Sequence, residues 1–355
     1  MKLWIALAFL AVPFAAQQSP QCCRRASGSG AMNHEGMKPD ATAMPARMGP
    51  GMMMNRMFAP LPDAIESPAN PLSPAKVSLG RTLYFETRLS KDGKISCNSC
   101  HDLNTYGVDR RPTSPGFNNQ HGTRNSPTVF NAAGHVAQFW DGRAGTVEEQ
   151  AKGPILNPIE MALPSEKAAV AAIRSDPSYE AAFRSAFPGD ANPITFDNIA
   201  NAIGAFERTL VTPAKWDQFL KGDSTALTAA ERQGLHTFMM TGCGQCHNGT
   251  YVGGATFQKL GQQKPYPNQK DLGRYEVTKA ADDKMFFKVP SLRNVEKTGP
   301  YFHNGEVATL EDAVSRMAEF QLGTRLAPSE IQSIVTWLKT LTSENPAGVP
   351  RVKLP

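Results

Sequence analysis

Two short stretches decide the fold: Cys97-Asn98-Ser99-Cys100-His101 and Cys243-Gly244-Gln245-Cys246-His247. Each has the C-x-x-C-H spacing, in which two thiols add to the vinyl groups of a haem while the adjoining imidazole reaches the iron. A thioredoxin-like pair needs no following histidine, and a zinc site would need its ligands in one place, whereas these motifs lie far apart in the sequence. The sequence therefore predicts two covalent haems c, with the proximal iron ligands His101 and His247.

Helical segments dominate the rest of the chain. Residues 168–173, 196–210 and 331–341 are the clearest, and Thr228 with Glu231 has the pattern of a capping box that starts a further helix. Alternating strand patterns are almost absent, and long loops separate the helices. These features predict an all-α fold of two c-type cytochrome-like domains, each around one covalent haem. We assign residues 61–215 to the first domain, 216–345 to the second and 346–355 to a C-terminal tail.

The N-terminal region differs from the rest in composition. Residues 1–16 combine one lysine, a short apolar run and a small-residue cleavage zone, which predicts a secretory signal peptide and a periplasmic location. Residues 17–60 indicate a disordered linker, and eight of the fourteen methionines fall between Met32 and Met57. A low-complexity linker is the preferred interpretation, and a Cu(I)-binding tail is the alternative because thioethers are soft ligands. A lipid anchor at Cys22 or Cys23 is a weaker alternative, since the residues before them do not resemble its cleavage site.

Charge and hydropathy exclude two classes of partner. The formal net charge is +5 and is not gathered into a basic stripe, which argues against nucleic-acid binding. The apolar run near the N-terminus is too short to span a bilayer, and no other long apolar run follows it. We therefore expect no membrane span in the mature protein.

The second axial ligand of each iron distinguishes an electron carrier from a peroxidase. Methionine and histidine together fill both axial positions and suit electron transfer, whereas a catalytic iron needs a position that can open. Met317 follows the second motif on a helical stretch, at a suitable distance for an axial thioether. A buried core methionine is the alternative that the residues alone leave open.

Beyond the two motifs, the chain resembles the bacterial di-haem cytochrome c peroxidases from about Leu61 to Pro355. The matching stretches include GTRNSPTVFN at 122–131, QFWDGRA at 138–144, residues 149–161 and residues 292–303. Leu89-Ser90 ahead of the first motif and Gly242 ahead of the second also match. Together these stretches are far more specific than either haem motif alone.

The resemblance implies a role for several individual residues. The haem on Cys97 and Cys100 would be the peroxidatic, low-potential one, with Glu160 and Gln150 over its distal face. A carboxyl in an apolar pocket can move a proton between the peroxide oxygens. Trp140 would lie between the haems and help electrons cross. The haem on Cys243 and Cys246, completed by Met317, would be the high-potential site of electron entry.

The resemblance also implies a calcium ion between the two haem domains. Its protein ligands would be the side chain of Asn125 and the backbone carbonyls of Thr298 and Pro300, which are hard oxygen donors of the kind that Ca²⁺ prefers. Simple packing for Trp140 and a solvated loop carboxylate for Glu160 remain the alternatives to their functional roles.

One departure from the family pattern affects the first iron. Many members hold a histidine on the peroxidatic iron in the resting state, and Phe117 takes that place here. His121 lies four residues later in the same loop and is the candidate replacement after a loop adjustment, against an open site with no such ligand. The remaining histidines are weaker candidates: His34 in the linker, His135 in a turn, His236 on a helix face, and His303 with an indirect role near the haems.

The sequence thus indicates a periplasmic di-haem peroxidase that reduces hydrogen peroxide to water. Its electrons would come from a small c-type cytochrome or a cupredoxin, and the family often forms homodimers. The leading alternative is a related MauG-like di-haem enzyme that oxidises a residue of a partner protein. Those relatives tend to have tyrosine where Met317 stands, which favours the peroxidase. A pure di-haem electron carrier is the third hypothesis, and Glu160 and Gln150 argue against it.

Overall fold

The computed structural model describes residues 57–344, and the fold over this range is almost entirely helical, as predicted. The predicted signal peptide, most of the predicted linker and the predicted C-terminal tail lie outside these residues, as do His34, Cys22 and Cys23. In chain order the helices are α1 Pro74–Tyr84, α2 Cys97–Cys100, α3 Val147–Leu156, α4 Glu166–Arg174, α5 Ser178–Ala186, α6 Phe196–Glu207, α7 Lys215–Leu220, α8 Ala229–Thr241, α9 Tyr275–Thr278, α10 Leu310–Arg316 and α11 Pro328–Lys339.

Two short strands and many loops complete the described part of the chain. Strand β1, Phe257–Lys259, pairs antiparallel with β2, Phe286–Lys288. The predicted capping box is confirmed: Thr228 Oγ1 accepts from the amide of Glu231, whose carboxylate accepts from the amide of Thr228. No helix within residues 57–344 is long and apolar enough to cross a membrane.

The first hydrophobic core is formed by residues between Val77 and Leu210. Helix α1 crosses α6 at Gly80, where an added Cβ would lie 1.8 Å from the backbone oxygen of Ala202. Only glycine permits backbones to approach this closely. Beside this crossing, Arg208 forms a buried ion pair with Glu148, at 2.7 Å between Nε and Oε1.

The second core is formed by Phe58 and residues between Trp216 and Leu341. Helix α8 crosses α11 at Gly234, where an added Cβ would lie 2.1 Å from the backbone oxygen of Ser333. Phe58 is buried against Trp216 and Trp337, with ring centroids 5.4 and 6.4 Å away. Packing therefore begins slightly earlier than predicted, because Phe58 was assigned to the linker.

Thr212, at the predicted join between the domains, connects elements of both halves of the chain. Its hydroxyl oxygen accepts 2.8 Å hydrogen bonds from the side-chain amides of Asn131 and Asn294. Asn131 belongs to the segment before the join and Asn294 to the segment after it, and all three residues are buried. Buried polar groups that satisfy one another in this way fix the relative position of the segments they join.

Candidate functional site

One continuous cavity of about 430 Å³ reaches both C-x-x-C-H motifs. Of the residues predicted from the sequence to form the site, it is lined by Cys97, Cys100, His101, Asn125, Trp140, Gln150, Glu160, Cys243, Cys246, His247, Thr298, Pro300 and Met317. His121 is absent from its lining. The fold therefore gathers the predicted residues around a shared space, although they are spread over most of the described chain.

The first motif forms helix α2, a single turn between long loops. The hydroxyl of Ser99 accepts a 3.0 Å hydrogen bond from the amide of Ser96, which holds the start of the turn. The hydroxyl of Tyr84 donates to the backbone oxygen of His101 at 2.6 Å. Burial lowers the pKa of His101 and keeps the imidazole neutral, the form that binds a metal.

The second motif follows α8 directly. His247 Nδ1 lies 3.4 Å from the backbone oxygen of Val252, which leaves Nε2 as the nitrogen available to an iron. Burial lowers the pKa of His247 to about 4. Close by, an added Cβ at Gly253 would lie 3.2 Å from His247 Nδ1 and 2.2 Å from the backbone oxygen of Pro290.

The four motif cysteines are free thiols in partly buried positions. Burial raises the pKa of Cys97 to about 12 and that of Cys100 and Cys243 to about 11. Such surroundings favour neutral sulfur, and a thioether to haem is neutral. Each motif contributes two thiols and one imidazole to the wall of the cavity, which is the donor set that a covalently attached haem requires. The residues present therefore fit two haems.

Met317 lies where helix α10 passes into one turn of π-helix, Met317–Gln321. Single π turns inside helices occur frequently at functional sites, because the extra residue re-aims the side chains of the turn. The side chain of Met317 is partly buried and lines the cavity together with the second motif. This position suits an axial thioether on that side of the cavity.

Glu160 lies in the turn after helix α3, and Gln150 lies on α3 itself. The side-chain amide of Asn157 donates a 2.8 Å hydrogen bond to Glu160 Oε1. Burial raises the pKa of Glu160, and Arg143 and Asn157 oppose that rise. A carboxyl group that is partly desolvated and held by one hydrogen bond can both accept and return a proton.

The indole of Trp140 donates a hydrogen bond to the backbone oxygen of Asn125, the residue predicted as a calcium ligand. The backbone amide of Asn125 donates to the backbone oxygen of His303 at 2.7 Å. The side-chain nitrogen of Asn125 donates to the backbone oxygen of Arg111 at 2.9 Å. Oδ1 of Asn125 is thus the side-chain atom left for a cation. No group of three or more His, Cys, Asp and Glu side chains within residues 57–344 is arranged to hold a metal, so a cation here would depend on neutral oxygens such as those of Thr298 and Pro300.

The loop with Phe117 and His121 forms a small hairpin on the surface. Pro115 pairs with His121, and the amide of Gly116 donates to the backbone oxygen of Gln120 at 2.8 Å. His121 is exposed, with Nδ1 3.1 Å from the hydroxyl of Thr113. The amide of Phe117 donates to the backbone oxygen of Glu160 at 2.8 Å, so the hairpin is attached to the turn that carries the candidate acid–base group.

Three residues that line the cavity were missed or undervalued from the sequence. Glu207 is buried, and burial with the nearby Glu148 raises its pKa to about 8. The sequence did offer a signal that Glu207 is buried, because it lies four residues after Ile203 and therefore on the same buried face of α6. His135 follows a short 3₁₀ turn, Ala132–Gly134, and caps its C-terminal end. The ring of His135 contacts Lys288, a residue for which the sequence analysis predicted no role.

The other two histidines considered from the sequence, His236 and His303, differ in their surroundings. His236 lies exposed on helix α8, as predicted. His303 is buried and stacked on Phe287, with ring centroids 4.2 Å apart, and it lines the cavity.

Comparison with known proteins agrees with this geometry. The family model described as di-haem cytochrome c peroxidase matches residues 74–225. The chain is 45% identical over 305 residues to the cytochrome c551 peroxidase of Pseudomonas aeruginosa, covering 84% of this chain and 87% of the relative. It is 48% identical over 270 residues to that of Nitrosomonas europaea, covering 76% and 80%. The crystal structure of a MauG-like protein associated with microbial copper homeostasis superposes with a TM-score of 0.72 at 29% identity, covering 83% of this chain and 97% of that one.

Proposed function

The chain belongs to the di-haem cytochrome c peroxidase family, and from this premise we propose that it reduces hydrogen peroxide to water in the periplasm with electrons from a small c-type cytochrome or a cupredoxin. The protein is an enzyme, a di-haem peroxidase, as its identity of 45–48% to cytochrome c551 peroxidases over most of the chain shows.

The haems are held by the two motifs. Cys97, Cys100 and His101 would hold the first haem. Cys243, Cys246, His247 and Met317 would hold the second. In this arrangement the two hydrophobic cores correspond to the two cytochrome-like domains.

A single observation carries the proposal: one cavity is lined by both motifs and by a partly buried carboxyl group, Glu160. When bound, the two haems would supply the redox chemistry of this reaction. Reduction of peroxide takes up two electrons and two protons, and it breaks the O–O bond to give two waters. Glu160 takes the proton from one peroxide oxygen and returns it to the other, which leaves as water.

The neighbouring residues orient this chemistry. The Asn157 amide holds one carboxylate oxygen of Glu160, so the proton moves on the other. Gln150 contributes a neutral amide to the same cavity wall and orients the peroxide. Trp140 lines the same cavity, is fixed by its hydrogen bond to Asn125, and would carry electrons between the two haems. A calcium ion bound by Asn125, Thr298 and Pro300 stabilises that arrangement.

The alternative function is oxidation of a residue on a partner protein by a MauG-like enzyme. The structural similarity to a MauG-like protein, at 29% identity, is the observation that favours it. Met317 argues against it, because a methionine ligand fills the second iron and suits electron transfer. A pure electron carrier is disfavoured, because Glu160 has no role in one.

The test uses the purified holoenzyme. Mass spectrometry of the intact chain first establishes two covalently attached haems. Peroxide is then added with either a reduced small c-type cytochrome or a reduced cupredoxin, and oxidation of the donor is followed by absorbance. We expect two donor molecules oxidised per peroxide. A holoenzyme with both haems that consumes peroxide without oxidising either donor would contradict the proposal.

A further inference from the structure

Lys288 is a buried cation without a carboxylate. It is 7% exposed, and none of the ion pairs within residues 57–344 includes it. Burial lowers the pKa of Lys288 to about 8. Arg124, which lines the same cavity, makes a clear contrast, because it is paired with both Asp141 and Asp271. A buried ammonium group is costly unless an anion and hydrogen bonds compensate it.

The partner of Lys288 is His135, whose Nδ1 lies 3.3 Å from Lys288 Nζ. A lysine nitrogen can only donate to a ring nitrogen, so Nδ1 accepts and the neutral imidazole carries its proton on Nε2. Nε2 of His135 is buried and has no partner among the described residues. The pair therefore presents an unused N–H and an ammonium group side by side, and both residues line the cavity.

The position of this pair is fixed by close packing. The ring of His135 meets the ring of Tyr251 edge-on, with centroids 5.6 Å apart. An added Cβ at Gly254 would lie 2.4 Å from His135 Cδ2, so the glycine is needed for the ring to fit. Lys288 is held through its backbone, because its amide donates to the backbone oxygen of Trp140 at 2.8 Å.

The pair lies beside the second motif. Gly254, which contacts His135, donates its amide to the backbone oxygen of Val289 at 2.8 Å. An added Cβ at the preceding Gly253 would lie 3.2 Å from His247 Nδ1 and 2.2 Å from the backbone oxygen of Pro290, two residues after Lys288. Gly253 and Gly254 thus let the rings of His247 and His135 pack close to the same stretch of backbone, residues 289–290.

We propose that His135 and Lys288 form a carboxylate-binding subsite that takes one propionate group of the haem attached to Cys243 and Cys246. This inference rests on the proposed covalent attachment of that haem. The propionate supplies the anion that Lys288 lacks and the acceptor that His135 Nε2 lacks. The two residues position the haem and hold a positive charge beside it, which favours the reduced iron.

The test is Lys288→Met in the holoenzyme, with Lys288→Arg as the charge-retaining variant. Lys259→Met is the matched control, because Lys259 also lines the cavity but is exposed. The reduction potentials of both haems are measured by spectroelectrochemistry, and the propionate-bending modes by resonance Raman. We expect Lys288→Met to lower the potential of the second haem by at least 59 mV, a tenfold change in its reduction equilibrium. The Arg and Lys259 variants should stay near wild type.

Each outcome separates this inference from the proposed function. Mass spectrometry counts the attached haems first, and failure to find the second haem in the wild type contradicts the proposed function and this inference with it. If both haems are attached and Lys288→Met changes neither potential nor propionate modes, the subsite is wrong. A shift confined to the first haem also overturns the assignment. If Lys288→Met does not accumulate, His135→Leu keeps the lysine and must still shift the propionate modes of the second haem.

Discussion

The indole Nε1 of Trp140 donates a 2.9 Å hydrogen bond to the backbone oxygen of Asn125. This bond joins the residue proposed to carry electrons between the haems to the residue proposed to bind calcium with its side chain. A ligand on Asn125 Oδ1 would therefore restrict the indole through one short segment of backbone.

Loss of calcium should accordingly slow electron transfer between the haems. We expect chelation, or Asn125→Ala, to slow reduction of the first haem by up to about 10²-fold, the usual effect of a small misplacement of a positioned group. Stopped-flow absorbance after rapid reduction of the second haem measures the rate, and calorimetric titration measures Ca²⁺ binding. The control is Asn268→Ala, at a partly exposed asparagine whose side-chain nitrogen donates to Glu306. Undiminished Ca²⁺ affinity in Asn125→Ala would remove Asn125 from the ligand set.

Glu160→Gln should leave both haems attached and slow peroxide cleavage by about 10²–10⁴-fold, the usual contribution of a positioned acid–base group. Glu166→Gln, at the exposed start of α4, should retain wild-type turnover. Rates are measured with a reduced cytochrome donor. Turnover of Glu160→Gln within a few-fold of wild type would show that Glu160 is not the proton carrier.

The same carboxyl group sets a pH dependence. The ionised form must take the first proton, and burial raises the pKa of Glu160 above its ordinary value. We therefore expect kcat/KM to fall as the pH decreases through that raised pKa, at a higher pH than for a solvated glutamate. The glutamine variant should lack this acidic limb. An unchanged limb in the variant would assign it to another group.

Met317→His should lower the potential of the second haem by more than 59 mV, because an imidazole stabilises the oxidised iron more than a thioether does. The thioether charge-transfer band should disappear while haem attachment stays intact. Met239→Leu is the control, since Met239 packs next to Gly244 of the same motif and is not the proposed ligand. A band that survives in Met317→His and is lost in Met239→Leu would exchange their roles.

His121 remains our proposed ligand of the first iron in the oxidised enzyme, and the structure defines what must change for it to bind. The Pro115–His121 pairing has to open, in a loop where Asn118 and Asn119 both have left-handed backbone angles. These angles cost energy, so opening releases some strain. We expect electron paramagnetic resonance of the diferric protein to show a low-spin first haem that becomes high-spin in His121→Ala. A wild type that is already high-spin and unaffected by the substitution would exclude this ligand switch.

The sequence predicted the helical fold and the family well, because helices leave a clear period and the two C-x-x-C-H motifs have a fixed spacing. It predicted the surroundings less well. His135 and Lys288 lie 153 residues apart, and nothing in the segment around Lys288 marks it as buried, since its burial depends on the packing of β2 against Trp140. Phe58 was hidden in a methionine-rich stretch, and its packing partners lie more than a hundred residues later.

The cavity also has a consequence for the abundance of the protein in the cell. The two motifs share one cavity of about 430 Å³, so in a chain that has not received its haems the lining residues lack the packing contacts that a haem would provide. The loss matters because the net stability of a typical domain is small, about 5–15 kcal/mol. A chain that escaped cofactor attachment would thus be a substrate for quality-control proteases. Haem supply, rather than synthesis of the polypeptide, would then limit how much of this enzyme accumulates.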